Sequence, residues 1–434
     1  MKSVHELLNF INNSPVSFFA IDNVKRELLL NGFQEISEAS AFSLKRGDKC
    51  FVERNGSSII AFTIGKEIDD NLSFNIIASH SDSPCFKLKP VFEFKGATYN
   101  KVMVEPYGGL ICSSWFDRPL SIAGRVFVKE NDKISMKLLN IDKDILMIPN
   151  VCIHFNRNIN SGYTYDYARD MIPFLNQSEE KNLTNVICEE LNITKEDIIN
   201  FDLYLYNRQK GIIWGADDEF VSSPRLDDLE CVYTSVKALI ASTNDKTINV
   251  VYVADNEEVG SSSMQGAAGD FLLRTLNKIK RALNINDDVF DIALTKSLLV
   301  SADNAHSVHP NHPELTDPIN QVFMNKGLVI KFNASQSYTS DGLSSSILQT
   351  MLDSENIPYQ FFANASNIRG GSTLGNIAIR QLSIKAVDVG LAQLAMHSSY
   401  ETAGARDIEI AIRAFTKVFN SKLESIDNTN YIIK

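Results

Sequence analysis

From residue 224 onward the chain alternates short apolar runs with helical periods, and this alternation constrains the fold more than any other feature. The runs lie at 248–254, 297–302, 328–332, 359–362 and 384–389. Short runs separated by amphipathic stretches predict a largely parallel sheet covered by helices. Two earlier runs, at 58–64 and 74–78, extend the same pattern toward the N-terminus. Val4, Leu7, Leu8 and Ile11 fall at helical spacing and predict a first helix within residues 1–14. Asp407 reads as the N-cap of a last helix over 408–421.

Between these parts the texture changes. Alternating segments at 92–94, 122–128, 134–139 and 203–206 are separated by Gly, Asn and Asp turns, with one polar helical stretch at 178–192. A length of 434 residues gives a soft expectation of about three domains. Two domains meet the texture better: an α/β domain built from residues 1–90 and 224–434, and a β-rich domain inserted over 91–223.

Composition excludes several functions. With 42 Lys+Arg against 53 Asp+Glu the formal charge is −11, which argues against a nucleic-acid partner. No apolar run approaches the ~18 residues of a membrane span. His5, Glu6 and Asn9 interrupt any signal-peptide core. The six cysteines form no CxxC pair, so they read as free thiols of a reducing compartment, and the expected location is the cytoplasm.

The chemistry-bearing residues follow the apolar runs. The run at 74–78 leads into Ser79-His80-Ser81-Asp82, and that at 248–254 into Asp255-Asn256-Glu257-Glu258. The run at 297–302 leads into Asp303, that at 384–389 toward His397, and the segment 221–224 into Arg225-Leu226-Asp227-Asp228. Carboxyl ends of strands line the ligand crevice in open α/β sheets, so these groups can converge across long stretches of chain. Imidazole and carboxylate without thiolate suit a pair of divalent ions such as zinc. Such a pair acidifies water and polarises a carbonyl. The doublet Glu257-Glu258 offers one ligand and one general base. Singly each signal is weak, since paired acids are usually solvated or helix caps; the case rests on five such elements following apolar strands.

Six segments then carry a resemblance: HSDSPCFKLKP (80–90), SPRLDDLE (223–230), DNEEVGS (255–261), SADNAHSVHPNHPE (301–314), GGSTLG (370–375) and LAMHSSYETAG (394–404). In order, over nearly the whole chain, they resemble the M18 aspartyl aminopeptidases. The resemblance implies a phosphorylase/hydrolase-like zinc peptidase domain with an inserted β-rich dimerisation domain. It implies two zinc ions per subunit, with Mn2+ or Co2+ as substitutes. His80 and Asp303 would bind one, Glu258 and His397 the other, and Asp227 would bridge them. Glu257 would be the general base, Asp82 would orient His80, and the Asp227–Asp228 peptide would be cis. His154, in IPNVCIHFNR (148–157), would enter the active site of a neighbouring subunit; Asn150 stands where related sequences often carry a second histidine.

The implied reaction removes one N-terminal residue, Asp or Glu, from a peptide. Lys331 is the positional match for the cation that pairs the substrate carboxylate, with Arg369 a second candidate. Gly371 and Ser372 would supply backbone donors near the substrate. The resemblance also implies self-association to dimers and a tetrahedral dodecamer. His306, His309 and His312 sit among Pro310 and Pro313 and read as loop residues, and His5 as a helix-surface residue. A neutral- or apolar-specific aminopeptidase, a carboxypeptidase or dipeptidase, and a silent cargo-binding shell are the competing readings. The net charge would repel acidic peptides at long range, so local cations would have to attract them.

Overall fold

The computed structural model describes residues 1–427 and 429–434. Its largest sheet has nine strands, in the order Gln34–Glu35, Lys49–Arg54, Ser58–Ile64, Ile248–Ala254, Phe74–His80, Leu298–Ala302, Lys385–Gly390, Leu328–Phe332 and Tyr359–Ala363. The four strands at its centre, from Ile248–Ala254 to Lys385–Gly390, run parallel. Antiparallel pairing enters on both sides, at Ser58–Ile64 and at Leu328–Phe332, so the sheet is mixed.

Strand Phe74–His80 is buried along its whole length, which explains why it reads as a continuous apolar run. Successive residues serve opposite layers. Ile77 packs with Val251, Val300 and the helices Leu226–Ala241 and Asp407–Asn420. Ile76 and Ala78 pack on the other face with Val250, Tyr252 and the helix Phe271–Ala282. Each large side chain so buried contributes roughly 1.5–3 kcal/mol, and the central strand is thereby fixed in register with its carboxyl end toward the site.

The first helix, Lys2–Asn12, buries Val4, Leu7, Leu8 and Ile11, the four residues whose spacing announced it. The last helix, Asp407–Asn420, differs in its start. Arg406 occupies the N-cap position, and the Asp407 carboxylate turns away to accept the backbone N–H groups of Asn325 and Gly327.

A second, antiparallel sheet has the order Lys133–Asn140, Leu120–Glu130, Ile198–Asn207, Cys85–Gly96, Tyr99–Tyr107 and Phe174–Asn176. It closes over its own core, with Phe86, Trp115, Ile122 and Leu203 packed beneath the helix Leu183–Leu191. A third sheet joins Ile212–Trp214 and Phe220–Ser223 to Glu401–Gly404, Ala392–Leu394 and Ala305–His306. It ties the residues that follow the antiparallel sheet to the C-terminal part of the chain. All six cysteines are free thiols. Among the described residues no helix is long and apolar enough to cross a membrane.

Candidate metal centre

Five of the predicted residues meet at the carboxyl ends of the central strands. His80 is the last residue of its strand, Asp303 follows Leu298–Ala302 directly, and Glu258 lies in a short turn after Ile248–Ala254. Asp227 sits at the irregular start of the helix Leu226–Ala241, where its φ of −80° and ψ of 110° are non-helical. The peptide bond from Asp227 to Asp228 is cis. His397 occupies the turn between Ala392–Leu394 and Glu401–Gly404, at a φ of 68°. A non-glycine residue in that region persists only where its surroundings over-determine it.

The Glu401 carboxylate supplies that constraint. It accepts the backbone N–H of His397 at 2.7 Å and of Asp227 at 3.0 Å, so one buried acid holds both segments. Burial pushes the Glu401 carboxyl up to about 8.

Asp227 stands between the two histidines. Its Oδ1 is 3.6 Å from His80 Nε2 and its Oδ2 is 3.6 Å from His397 Nε2, which also lies 3.4 Å from Glu258 Oε2. Three overlapping groups can each surround a cation: His80, Asp227, Asp228 and Asp303; His80, Glu257 and Glu258; and Asp227, Glu258 and His397. Asp227 Oδ1, Asp228 Oδ1 and Glu258 Oε1 are buried oxygens with no hydrogen-bond partner. Buried anionic oxygens left unpaired are costly, and a bound cation is the usual remedy. The donor set therefore fits divalent metal, and its nitrogen and oxygen atoms suit zinc.

The electrostatics point the same way. Burial, with the charges of neighbouring carboxylates, lifts Glu258 and Asp228 well above the ordinary carboxylate range. Burial pushes Glu257 up to about 8, with Asp303 and Asp82 adding to the effect, and Asp303 itself up to about 6. More negative charge is gathered here than His80, His397 and Lys331 can balance.

Asp82 contacts three members of the cluster. His80 Nδ1 bonds the Asp82 carbonyl at 3.1 Å and lies 3.4 Å from its Oδ1. The Asp82 carboxylate accepts the backbone N–H groups of Glu257 and Glu258 at 3.1 and 3.2 Å. One residue thus reaches the His80 ring and the backbone of both Glu257 and Glu258.

Lys331 reaches the site but is 2 % exposed. Its ammonium donates to the carbonyls of Asp303 (2.8 Å) and Asn304 (3.3 Å), and lies 4.0 Å from Asp303 Oδ1. Gly371 and Ser372 are exposed in the loop before the helix Leu374–Leu382, where Ser372 Oγ bonds Asn376. Arg369 is exposed in the same loop. His154 is exposed in a turn-rich loop of the antiparallel sheet and belongs to none of the three metal-competent groups. His306, His309 and His312 belong to none of them either; His312 Nδ1 pairs with Glu314 at 3.0 Å. His5 is exposed on the first helix.

Sequence reasoning passed over several contributors. Asp228 Oδ2 accepts the backbone N–H of His80 at 3.1 Å. Asp388, fully buried, accepts the hydroxyls of Thr339 (2.8 Å) and Thr373 (2.7 Å), tying together two loops beside the site. Glu401 stands within LAMHSSYETAG (394–404), but a Glu between Tyr and Thr has no spacing signal of its own.

Comparisons with known proteins show what the whole chain is similar to. The family model described as Aminopeptidase I zinc metalloprotease (M18) matches residues 10–419. A probable M18 family aminopeptidase 2 of Clostridium novyi (strain NT) is 43% identical over 428 residues, covering 97% of this chain and 99% of the relative. Aspartyl aminopeptidase 1 of Schizosaccharomyces pombe is 36% identical over 446 residues, covering 96% of this chain and 94% of its own. The solved mApe1 dodecamer of S. cerevisiae superimposes with a TM-score of 0.84 at 25% identity, covering 96% of each chain.

Proposed function

The chain belongs to the M18 family of zinc metallo-aminopeptidases, and from that premise we propose that it removes single N-terminal residues, aspartate or glutamate, from peptides at a two-zinc site. In this reading His80 and Asp303 would hold one ion, Glu258 and His397 the other, and Asp227 would be shared between them. Mn2+ or Co2+ suit the same donors. The observation that carries the reading is the placement of Asp227, with one oxygen 3.6 Å from each of two imidazole nitrogens.

Zinc bound there supplies acidification of water toward a pKa of ~7 and polarisation of the scissile carbonyl. The chain does the rest. Glu257 takes the proton from the attacking water onto its carboxylate and passes it to the departing amine nitrogen. Its burial, which favours the protonated form, suits the second half of that task. His154 of a second copy donates a hydrogen bond to the carbonyl oxygen as charge develops there. Lys331 offers its remaining N–H to the acidic side chain of the substrate, and Gly371 and Ser372 offer backbone N–H groups beside it.

The domain division follows: residues 1–90 and 224–434 form the catalytic part, and 91–223 the dimerisation part. Val151, Ile153 and Phe155, which flank His154, are 51%, 49% and 88% exposed and give that part an apolar surface to bury against a second copy. Further assembly to a tetrahedral dodecamer is in line with the dodecameric yeast relative. Six free thiols are in keeping with the cytoplasm.

One observation favours a second reading, an aminopeptidase of neutral or apolar preference. Two carbonyls already take up the Lys331 ammonium, and a neutral substrate side chain would ask nothing more of it. Turnover of a panel of peptides differing only in their free N-terminal residue decides between them. Preference for Asp and Glu supports the first reading, and preference for Leu or Ala the second.

A further inference from the structure

The antiparallel sheet ends one of its strands against the metal centre of its own chain. Tyr107 is the last residue of the strand Tyr99–Tyr107. Its hydroxyl donates to Asp82 Oδ2 at 2.7 Å and accepts from Asn256 Nδ2 at 2.8 Å. Asn256 is in turn held on its other side, where its Oδ1 accepts from Ser263 Oγ (2.7 Å) and Gln265 Nε2 (2.9 Å). The ring of Tyr107 stands edge-on to Tyr204, 5.6 Å away, so the phenol has little freedom to swing.

The next residues continue the contact. Gly108 has a φ of 75°, and a Cβ there would lie 3.1 Å from Glu258 Cβ and 3.4 Å from its carbonyl oxygen. His397 hydrogen bonds the Gly109 backbone, and Ile111 N–H donates to the His397 carbonyl at 3.1 Å. Imidazole ligands need their second ring nitrogen held, and a backbone carbonyl serves. This single segment therefore touches Asp82, Glu258 and His397.

We propose that Tyr107 is a positioning residue for the metal centre, and that through it and Gly108–Gly109 the inserted sheet is a working part of the active site in its own chain. The proposal rests on the two-zinc reading given above. Asp82 is the relay. Its carboxylate aims the backbone of Glu257 and Glu258 and faces His80, and the Tyr107 hydroxyl donates to its Oδ2 at 2.7 Å. Without that donor the carboxylate can rotate, and base and ligands move with it.

Replacing Tyr107 by Phe removes one oxygen and keeps the ring. The test compares wild type and Tyr107→Phe, both zinc-loaded, on a peptide with a free N-terminal Asp, together with zinc affinity by competition with a chelating dye. The expected result is a fall in kcat or zinc affinity of about 10–100-fold, the usual effect of losing a partner of a metal ligand, with KM within about threefold of wild type. The circular dichroism of the zinc-free proteins should coincide. Wild-type kcat and zinc affinity in Tyr107→Phe would overturn the proposal. If Tyr107→Phe fails to fold, Asn256→Asp decides, because it removes the Nδ2 donor to the hydroxyl and keeps an oxygen for Ser263 and Gln265. A partial loss of kcat supports the proposal and full kcat overturns it. A wild-type enzyme that binds zinc yet cleaves none of the peptides contradicts the two-zinc aminopeptidase reading instead.

Discussion

The two carboxylate oxygens of Asp227 face different histidines. Oδ1 lies 3.6 Å from His80 Nε2 and Oδ2 lies 3.6 Å from His397 Nε2, although the histidines belong to distant parts of the chain. In the proposed two-zinc reading, a carboxylate shared in this way would couple the two sites into one.

Asp227→Asn should therefore disturb both sites at once. We expect zinc content, measured by inductively coupled plasma spectrometry, to fall below two ions per chain, and turnover to drop by at least about 100-fold. Two retained zinc ions with near-normal turnover would contradict the bridging role.

Glu257→Gln separates ligand from base. The variant should keep wild-type zinc content and lose about 10²–10⁴-fold in kcat, the usual contribution of a general base. Near-normal turnover would refute that assignment.

His154→Ala tests delivery of a residue between copies. Activity should fall while zinc content stays, since His154 lies in none of the chain's metal-competent groups. Mixing it with Glu257→Gln subunits should restore part of the activity, because the resulting assembly holds sites with both groups intact. Full activity of His154→Ala alone would remove it from the site.

Asp407 predicts a pH effect away from the metals. It is fully buried, and burial pushes its carboxyl up to about 7. A folded-state value above the unfolded value of ~3.9 means the stabilisation is complete below pH ~4 and is lost as pH rises through about 7. A shift of that size corresponds to about 4 kcal/mol at most. Urea unfolding of Asp407→Asn should lose less stability between pH 5 and pH 8.5 than wild type. Parallel losses would show that Asp407 does not carry the effect.

The parts legible in the sequence share one physical cause. Parallel strands place their carboxyl ends together, so acids and histidines following the runs at 74–78, 248–254 and 297–302 had to meet, and His80, Glu258 and Asp303 do. The contact of Tyr107 with Asp82 had no such signal. It depends on how the antiparallel sheet docks, and no periodicity within Tyr99–Tyr107 records that. Asp407 misled for a related reason: a helix start predicts a capping side chain, but tertiary contact offered its carboxylate Asn325 and Gly327 instead. Lys331 was found by position, yet its burial against Asp303 and Asn304 follows from strand pairing that sequence alone does not fix.

The most direct test compares two peptides on zinc-loaded enzyme, one with a free N-terminal Asp and one with that Asp acetylated, with products identified by mass spectrometry. The account predicts release of a single Asp from the free peptide and no cleavage of the acetylated one. Hydrolysis of the acetylated peptide, or release of a dipeptide or a C-terminal residue from the free one, would contradict it.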